Sequence, residues 1–108
     1  MTLIAVVTTV GSRDEARTMA RTLVERGLVA CAQISEIESF YPWDGAVQNE
    51  PEFRLLLKTR EAHYDAVVQA IRALHSYQLP AIYAHALAHV DAPYAQWIEA
   101  CTRREGAP

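Results

Sequence analysis

The sequence has the length and composition of one globular domain. Its 108 residues are 51% hydrophobic and 21% charged, so a single domain over residues 1–108 can bury a core without disulfides. The formal net charge of -3 leaves no basic excess for phosphates, and the four glycines are too scattered for a dinucleotide-binding or phosphate-binding loop. We therefore expect no nucleic-acid partner and no common nucleotide site.

Cysteine content and hydropathy indicate the compartment. Cys31 and Cys101 lie seventy positions apart, which is not the spacing of a zinc knuckle or of a disulfide-rich secreted protein. The apolar run at residues 3–7 follows Met1 and Thr2 directly, without the basic region or the length of a signal peptide. No stretch approaches the ~20 apolar residues of a membrane span. The sequence predicts a reduced, cytoplasmic protein with no membrane partner.

Apolar patterning near the N-terminus predicts a strand followed by a helix. The run at residues 2–9 is rich in β-branched residues and too short for a buried helix, as is typical of an interior strand. Ser12 and Glu15 then have the spacing of a capping box, apolar residues follow at helical intervals, and Gly27 supplies a stop. We expect the first helix between Ser12 and Gly27.

A long β-hairpin is predicted next. Residues 28–40 alternate as a second strand, with a phase shift at Ile37 that predicts a bulge. Asp44 and Gly45 form a strong hairpin-turn signal, and alternation from Glu50 returns a third strand along the second. At ~3.3 Å per residue the hairpin runs ~33 Å, whereas a fifteen-residue helix covers ~22 Å. Its aromatic tip should overhang the helices, which favours a homo-oligomer.

The second half of the chain predicts two helices around an ambiguous segment. Thr59 is the expected cap of a second helix that ends near the loop at residues 76–80. Residues 81–90 alternate as a strand would, but their alanine content favours a helix, and both alternatives stay open. If they form a strand, the order is a split β-α-β sandwich with a C-terminal helix. Asp91 should cap that helix, whose expected inner face is Tyr94, Trp97, Ile98 and Cys101.

Candidate metal ligands do not form a self-sufficient motif. His85 and His89 would stand ~13 Å apart on one face of a strand, and they would clamp a metal ion only if their segment were a helix. Cys31 is expected as a small buried side chain and His75 as a residue at a helix terminus, each with metal binding as the alternative. Because no nucleophile is paired with an evident base, the sequence predicts that the protein is not an enzyme.

Carboxylates and aromatic residues occur along the hairpin. Glu50 and Glu52 lie on one face of a strand, ~6.6 Å apart, as does the pair Glu36 and Glu38. Acid-base chemistry would require a cleft and a shifted pKa, so solvent-exposed hairpin faces are the favoured interpretation. Tyr41, Trp43 and Tyr77 are candidates to stack on a ligand, but the overhang of the hairpin favours contact with another subunit for them.

Four segments resemble the CutA divalent-cation tolerance family. They read LVACA at residues 28–32, YPWDG at 41–45, EFRLLLKT at 52–59 and HSYQLP at 75–80, in a match that extends from residue 4 to residue 101. The resemblance implies an α+β, ferredoxin-like fold, a strand at residues 81–90, and a cytoplasmic homotrimer whose long hairpins pair across subunits. It also implies a non-catalytic role in the response to metal ions, copper in particular.

The resemblance implies a metal site in which several donors are replaced. Copper-linked bacterial members carry a cysteine near the end of the first strand and a His-His pair, where this chain has Thr8 and Leu74-His75. A carboxylate of the family is replaced by Ala81. Cys31 and His75 remain as the ligands to expect for Cu(II) or another divalent metal ion, with no cofactor required. Since two donors need completion by water or a neighbouring subunit, we expect weak binding or none.

A second hypothesis belongs to another functional class. A trimeric signalling or interaction module would hold a small anionic ligand or a partner protein, of unknown identity, in the clefts between subunits. The residues expected to bind it are Tyr41, Trp43, Arg54 and Lys58, the only lysine of the chain. A third hypothesis, an acyl phosphate hydrolase, ranks last because the chain has no glycine-rich phosphate loop.

Overall fold

A four-stranded antiparallel sheet organises the chain, which a computed structural model describes over residues 2–102. The strands are β1 (Leu3–Val10), β2 (Cys31–Trp43), β3 (Ala46–Arg60) and β4 (Ile82–Ala86), in the spatial order β2-β3-β1-β4. The helices are α1 (Arg13–Glu25), α2 (Tyr64–Leu74) and α3 (Ala92–Cys101). This order confirms the predicted α+β split β-α-β sandwich with a closing helix.

Helix α1 begins and ends at the predicted residues. The Ser12 hydroxyl accepts a hydrogen bond from the Glu15 backbone N–H at 3.1 Å, and Gly27 adopts a φ of 71° just beyond the helix. Only half of the capping box forms, since the Glu15 carboxylate accepts bonds from the Ser76 backbone N–H and hydroxyl instead. Glu15 therefore connects α1 to the loop after α2.

The hairpin is longer and more regular than predicted. Pairing is continuous from Cys31 opposite Lys58 to Trp43 opposite Ala46, so the predicted bulge at Ile37 is wrong. The phase shift at Ile37 reflects a change of environment, because the strand leaves the core there while its pairing continues. The turn has φ values of 53° at Asp44 and 76° at Gly45, as a two-residue type I′ hairpin requires.

The tip of the hairpin projects beyond the helices, as predicted. The thirteen residues of β2 span ~43 Å at strand rise, whereas the thirteen of α1 span ~20 Å. The molecule is 45 Å in its longest dimension. Phe40 is 67% exposed and Val47 is 74% exposed near the tip, so this end of the hairpin lacks cover from the described part of the chain.

Thr59 does not cap a helix, and the prediction of that role is wrong. It lies inside β3 opposite Ile4, fully buried, and its hydroxyl donates to the Leu28 carbonyl at 2.7 Å. A 3-10 turn at Glu61–His63 then leads into α2. The partner of the threonine hydroxyl is thus a carbonyl thirty-one positions away, and the residues around Thr59 give no sign of this contact.

The ambiguous segment at residues 81–90 resolves into a short strand and an irregular connection. Residues 82–86 form β4 and pair with β1, from Thr8 opposite Ile82 to Ile4 opposite Ala86. Beyond β4, the Leu87 backbone N–H still donates to the Leu3 carbonyl at 2.9 Å, and Leu87 and Val90 pack against a cluster that includes Ile98 of α3. The strand alternative is thus correct for the first half of the segment.

The predicted inner face of α3 is largely wrong. Ile98 is fully buried against Leu3 and Ala30, but Tyr94, Trp97 and Cys101 are exposed. The helix touches only the end of the sheet, so Ala95 packs beside Ile98 while Tyr94 and Trp97 stack on each other at the surface. No helix within residues 2–102 is long and apolar enough to span a membrane.

The two faces of the sheet differ in their cover. One face packs against α1 and α2 through a core that includes Val6, Leu55 and Leu57. Since side chains alternate along a strand, their neighbours point to the other face, where α3 covers one end. We call the remainder of this second face the open face, and it presents Val7, Gln33, Arg54, Leu56, Tyr83 and His85, which line a shallow cavity of about 390 Å³.

Candidate functional site

A cavity of about 730 Å³ lies between the hairpin and the loop that joins α2 to β4. Strand β2 contributes Tyr41 and Trp43 to its wall, and β3 contributes Glu50 and Glu52. These four positions alternate along two paired strands, so their side chains lie on one face of the hairpin. The loop closes the opposite side with Tyr77. We call this space the hairpin cavity.

The two carboxylates of the hairpin cavity are held by tyrosine hydroxyls. The Tyr77 hydroxyl donates to Oε2 of Glu52 at 2.7 Å, and the Tyr41 hydroxyl donates to Oε1 of Glu50 at 2.8 Å. Burial and the hydrogen bond to Glu52 raise the pKa of Tyr77 above its ordinary value, and the hydrogen bond to Glu50 raises the pKa of Tyr41. Both phenols therefore remain protonated donors at neutral pH.

Glu50 and Glu52 differ in burial. Glu52 is 7% exposed, whereas Glu50 is exposed. The sequence-based interpretation of this pair as a solvent-exposed hairpin face is correct for Glu50 and wrong for Glu52. Tyr77 makes the difference, because its ring covers Glu52 from a loop twenty-five positions away in the sequence.

Three contacts hold the loop in place. The Glu15 carboxylate binds Ser76, and the Tyr77 backbone N–H donates to Nδ1 of His75 at 3.1 Å. Gly11 lies so close that a Cβ atom there would stand 3.2 Å from the Tyr77 hydroxyl oxygen. The position of Tyr77 over Glu52 is thus determined by α1, the end of α2 and the segment after β1.

His75, predicted as a metal ligand, has both ring nitrogens engaged. Nδ1 accepts from Tyr77, and Nε2 lies 2.8 Å from the Thr9 carbonyl oxygen, which only accepts hydrogen bonds. The hydrogen therefore sits on Nε2. The side chain is 1% exposed. A metal ion would have to displace one of these bonds before His75 offered it a lone pair.

The predicted ligand pair is not brought together within one chain. Cys31 of β2 pairs with Lys58 of β3, which in turn pairs with Ala5 of β1. His75 instead binds the carbonyl of Thr9, which lies four residues beyond Ala5 on β1. Two strands across and four residues along separate the two positions by about 16 Å, and donors to one ion must lie within ~2.3 Å of it.

The surrounding residues do not complete a metal site either. No group of three His, Cys, Asp or Glu side chains within residues 2–102 has the geometry to hold a metal ion. Thr8, at the position of the family's cysteine, is fully buried, and its hydroxyl lacks a partner among the described residues. Leu74 and Ala81 supply no donor. The single chain therefore does not fit a tight copper site.

The four residues predicted to bind an anion fall into separate places. Tyr41 and Trp43 line the hairpin cavity, and Tyr41 pairs with Gln48 of β3. Arg54 lies on the open face, six residues beyond Gln48, which is ~20 Å along β3. Lys58 lies further still and contacts Tyr94 of α3, with 3.4 Å between Nζ and the hydroxyl oxygen. The cations and the aromatic pair do not form one anion site within the chain.

Related proteins match this chain over almost its whole length. Residues 4–101 match the sequence model of the CutA1 divalent ion tolerance protein. The divalent-cation tolerance protein CutA of Thermus thermophilus is 37% identical over 94 residues, which cover 86% of this chain and 91% of that protein. The protein of the same description from Pyrococcus horikoshii is 33% identical over 96 residues, covering 89% and 94%.

Solved structures agree with the sequence relatives. The crystal structure of CutA1 from Oryza sativa superimposes with a TM-score of 0.92 at 33% identity, covering 95% of each chain. The structure of the periplasmic divalent cation tolerance protein CutA from Archaeoglobus fulgidus gives a TM-score of 0.91 at 31% identity, covering 93% of this chain and 98% of the other. The resemblance of four short segments thus extends to the complete fold.

Proposed function

Because the chain belongs to the CutA1 divalent ion tolerance family, we propose that it acts in divalent-cation tolerance as a non-catalytic, cytoplasmic homotrimer that binds copper-like ions weakly at most. The match over residues 4–101 carries this proposal, since it includes every described strand and helix apart from Leu3, the first residue of β1. The non-catalytic role, the trimer and the weak copper binding rest on the geometry of the hairpin cavity, the open face and His75, whereas the cytoplasmic location rests on the sequence alone.

The titratable groups of the hairpin cavity support a non-catalytic role. A general base works best when its pKa lies near the operating pH, and Tyr77 has its pKa raised away from neutrality. Its hydroxyl is also committed to Glu52 at 2.7 Å. These groups favour a fixed hydrogen-bonded wall over proton transfer.

The open face and the hairpin support the trimer. Tyr83 is 47% exposed on that face, beside the half-buried Leu56, and the hairpin extends beyond the helices with a free edge on β2. An uncovered apolar sheet face next to an unpaired strand edge is a surface that a second chain covers. Three copies that pair through these surfaces would bury both.

Weak copper binding follows from the state of the predicted ligands. His75 must give up its bond to Tyr77 or to Thr9 before it binds a metal ion, which subtracts from the binding free energy. Cys31 lies about 16 Å from Thr9 in the same chain, so a shared ion would require a donor from a neighbouring subunit or from water.

Native mass spectrometry of the reduced protein, with and without a small excess of Cu(II), tests this proposal. We expect a trimer that takes up less than one copper ion per chain. His75→Ala should lower the uptake without changing the trimer, whereas the exposed His89→Ala should leave it unchanged. In the same way, Cys31→Ser should lower the copper uptake, and Cys101→Ser is its control and should leave the uptake unchanged.

Each outcome has a defined meaning. A monomer would contradict the assembly. Tight binding of one copper per chain that survives both His75→Ala and Cys31→Ser would show that other residues bind the metal ion. Uptake by His75→Ala equal to that of His89→Ala would remove His75 from the site.

A further inference from the structure

We propose that the end of each hairpin lies on the open face of the next copy of this chain, where Glu38 forms an ion pair with the partner subunit's Arg54. This inference rests on the homotrimer of the proposed function, and it adds which surfaces meet and in which direction. The occupant of the open face is thus a second copy of the chain. Three such contacts, each between two different surfaces, close head to tail into a ring.

Charges of opposite sign are separated along the hairpin. Residues 36–52, at its far end, contain no lysine, arginine or histidine, and their carboxylates are Glu36, Glu38, Asp44, Glu50 and Glu52. Residues 53–60, next to the body of the protein, contain no carboxylate, and their cations are Arg54, Lys58 and Arg60. Like charges within each segment repel, whereas a surface of the opposite sign attracts them. One chain therefore carries an acidic and a basic surface that are complementary between copies.

Arg54 is a cation of the open face without a carboxylate partner among the described residues. It is exposed, and it forms no ion pair with any residue in the range 2–102. The neighbouring carboxylate on the same face of β3, Glu52, accepts instead from the Tyr77 hydroxyl at 2.7 Å. The described residues that line the shallow cavity of the open face include no aspartate or glutamate. The guanidinium is therefore available to a carboxylate from another chain.

The side of the hairpin that faces the helices supplies such a carboxylate where it extends past α1. On this side Glu36 forms an ion pair with Arg13 of α1 at 3.2 Å. Glu38 and Phe40 follow at alternate positions of β2, so they lie on the same side and closer to the tip. Val47 lies beside them on β3. We call Glu38, Phe40 and Val47 the tip face.

The tip face and the open face match in charge and in hydrophobicity. Glu38 is exposed, and its bond from Asn49 engages Oε2, so Oε1 can accept from a guanidinium. On the open face, Arg54 lies two residues from Leu56 on β3, and Tyr83 lines the same shallow cavity. Contact between the two faces would cover the exposed apolar side chains of both. It would also pair the two charges, as burial in an interface requires.

Other occupants of the open face would satisfy only one of the two surfaces. A small anion or an acidic partner protein could bond to Arg54. Either would leave the tip face in water, where Phe40 is 67% exposed and Val47 is 74% exposed. A contact between copies covers both surfaces at once, so the structure favours a second copy.

Charge reversal and its rescue test the proposal by sedimentation velocity of the full chain. Arg54→Glu and Glu38→Arg each place like charges against one another, so each should raise the concentration at which half of the chains are trimeric about tenfold or more. The double variant Arg54→Glu/Glu38→Arg reverses both charges and restores their attraction. It should therefore assemble as tightly as the wild type.

Matched controls lie on α1, on the other side of the sheet. Arg17→Glu and Glu25→Arg make the same charge changes at exposed positions and should leave the trimer unchanged. Circular dichroism verifies that each variant is folded. If both single variants assemble as tightly as the wild type, or if the double variant assembles no better than they do, Glu38 does not meet Arg54 and the proposal fails. A monomeric wild type would instead contradict the trimer of the proposed function itself.

Discussion

Tyr77 connects three parts of the chain through the atoms of one residue. Its hydroxyl donates to Glu52 of β3, its backbone N–H donates to His75 after α2, and its ring lies against Gly11 after β1. A hydrogen bond to a buried carboxylate is stronger than one between neutral groups. Tyr77 therefore stabilises the fold and also shapes the hairpin cavity.

The variant Tyr77→Phe tests the contribution to stability. It removes the hydrogen bond to Glu52 without adding volume, and the free energy of unfolding at pH 7 should fall by about 1–3 kcal/mol. Urea denaturation of the wild type and the variant measures this difference. Tyr41→Phe is the control, since it removes the equivalent bond to the exposed Glu50 and should have a smaller effect.

The pH dependence of the same variant follows from the raised pKa of Tyr77. A group with a higher pKa in the folded state stabilises the protein fully below its unfolded pKa of about 10, and this contribution is lost as the pH rises above that value. The difference in unfolding free energy between wild type and Tyr77→Phe should therefore narrow between pH 10 and pH 11.5. A difference that stays constant over that range would show that Tyr77 ionises with an ordinary pKa in the folded protein.

At the scale of elements, β1 and β3 each bury a threonine on the face covered by helices. Thr8 and Thr59 are both fully buried, but only the Thr59 hydroxyl has a partner among the described residues, the Leu28 carbonyl. The two strands thus hold one satisfied and one unsatisfied hydroxyl in similar surroundings. Comparing the two threonines therefore separates the contribution of a hydrogen bond to the free energy of unfolding from the contribution of burial.

Replacing each threonine by valine should change stability in opposite directions. Thr8→Val removes a buried hydroxyl that lacks a partner, so the free energy of unfolding should rise by up to about 1 kcal/mol. Thr59→Val removes the shorter of two hydrogen bonds to the Leu28 carbonyl, whose other partner is Nδ1 of His63 at 3.2 Å, and stability should fall by about 1 kcal/mol. Chemical denaturation of both variants measures the changes, and a loss of stability in Thr8→Val would reveal a partner for its hydroxyl.

Elements with local signals were predictable, and those with long-range causes were not. Ser12, Gly27 and the Asp44-Gly45 turn act through the backbone of their immediate neighbours, so their residue types determine the structure. Thr59 looks like a helix cap in sequence, but its partner lies thirty-one positions away. No local pattern contains that contact.

The candidate site shows the same limit. Alternation placed Glu50 and Glu52 on one face, but the burial of Glu52 depends on Tyr77 in a distant loop. The pairing of Cys31 with His75 came from a family resemblance, which carries ligand types without their distances. Residue types along a strand therefore indicated which side chains form the wall of the cavity. The burial of Glu52 and the distance between Cys31 and His75 required the fold.

At the scale of the whole molecule, apolar surface remains uncovered on one side. The core between the sheet and the helices α1 and α2 is complete, while the open face and the tip of the hairpin present Leu56, Tyr83, Phe40 and Val47 to solvent. Surfaces of this kind on a small domain are typical of subunit contacts. Assembly would continue the sheet at its edges and cover its second face.

A pair of charged substitutions tests which surface forms the trimer. Tyr83→Asp places a charge on the open face, and Val24→Asp places the same charge on the outer surface of α1. Both side chains are exposed in the single chain, at 47% and 41%, so neither change disturbs the core. Burying an unpaired charge in an interface costs several kcal/mol, whereas a charge in water costs little.

Sedimentation velocity at micromolar concentration should therefore find Tyr83→Asp as a monomer and Val24→Asp as a trimer. The thermal midpoint of Tyr83→Asp should also fall, because subunits that bind only the folded state stabilise one another by mass action. A Tyr83→Asp trimer as tight as that of the wild type would place the interface away from the open face. Dissociation of Val24→Asp instead would assign subunit contact to α1, on the opposite side of the sheet.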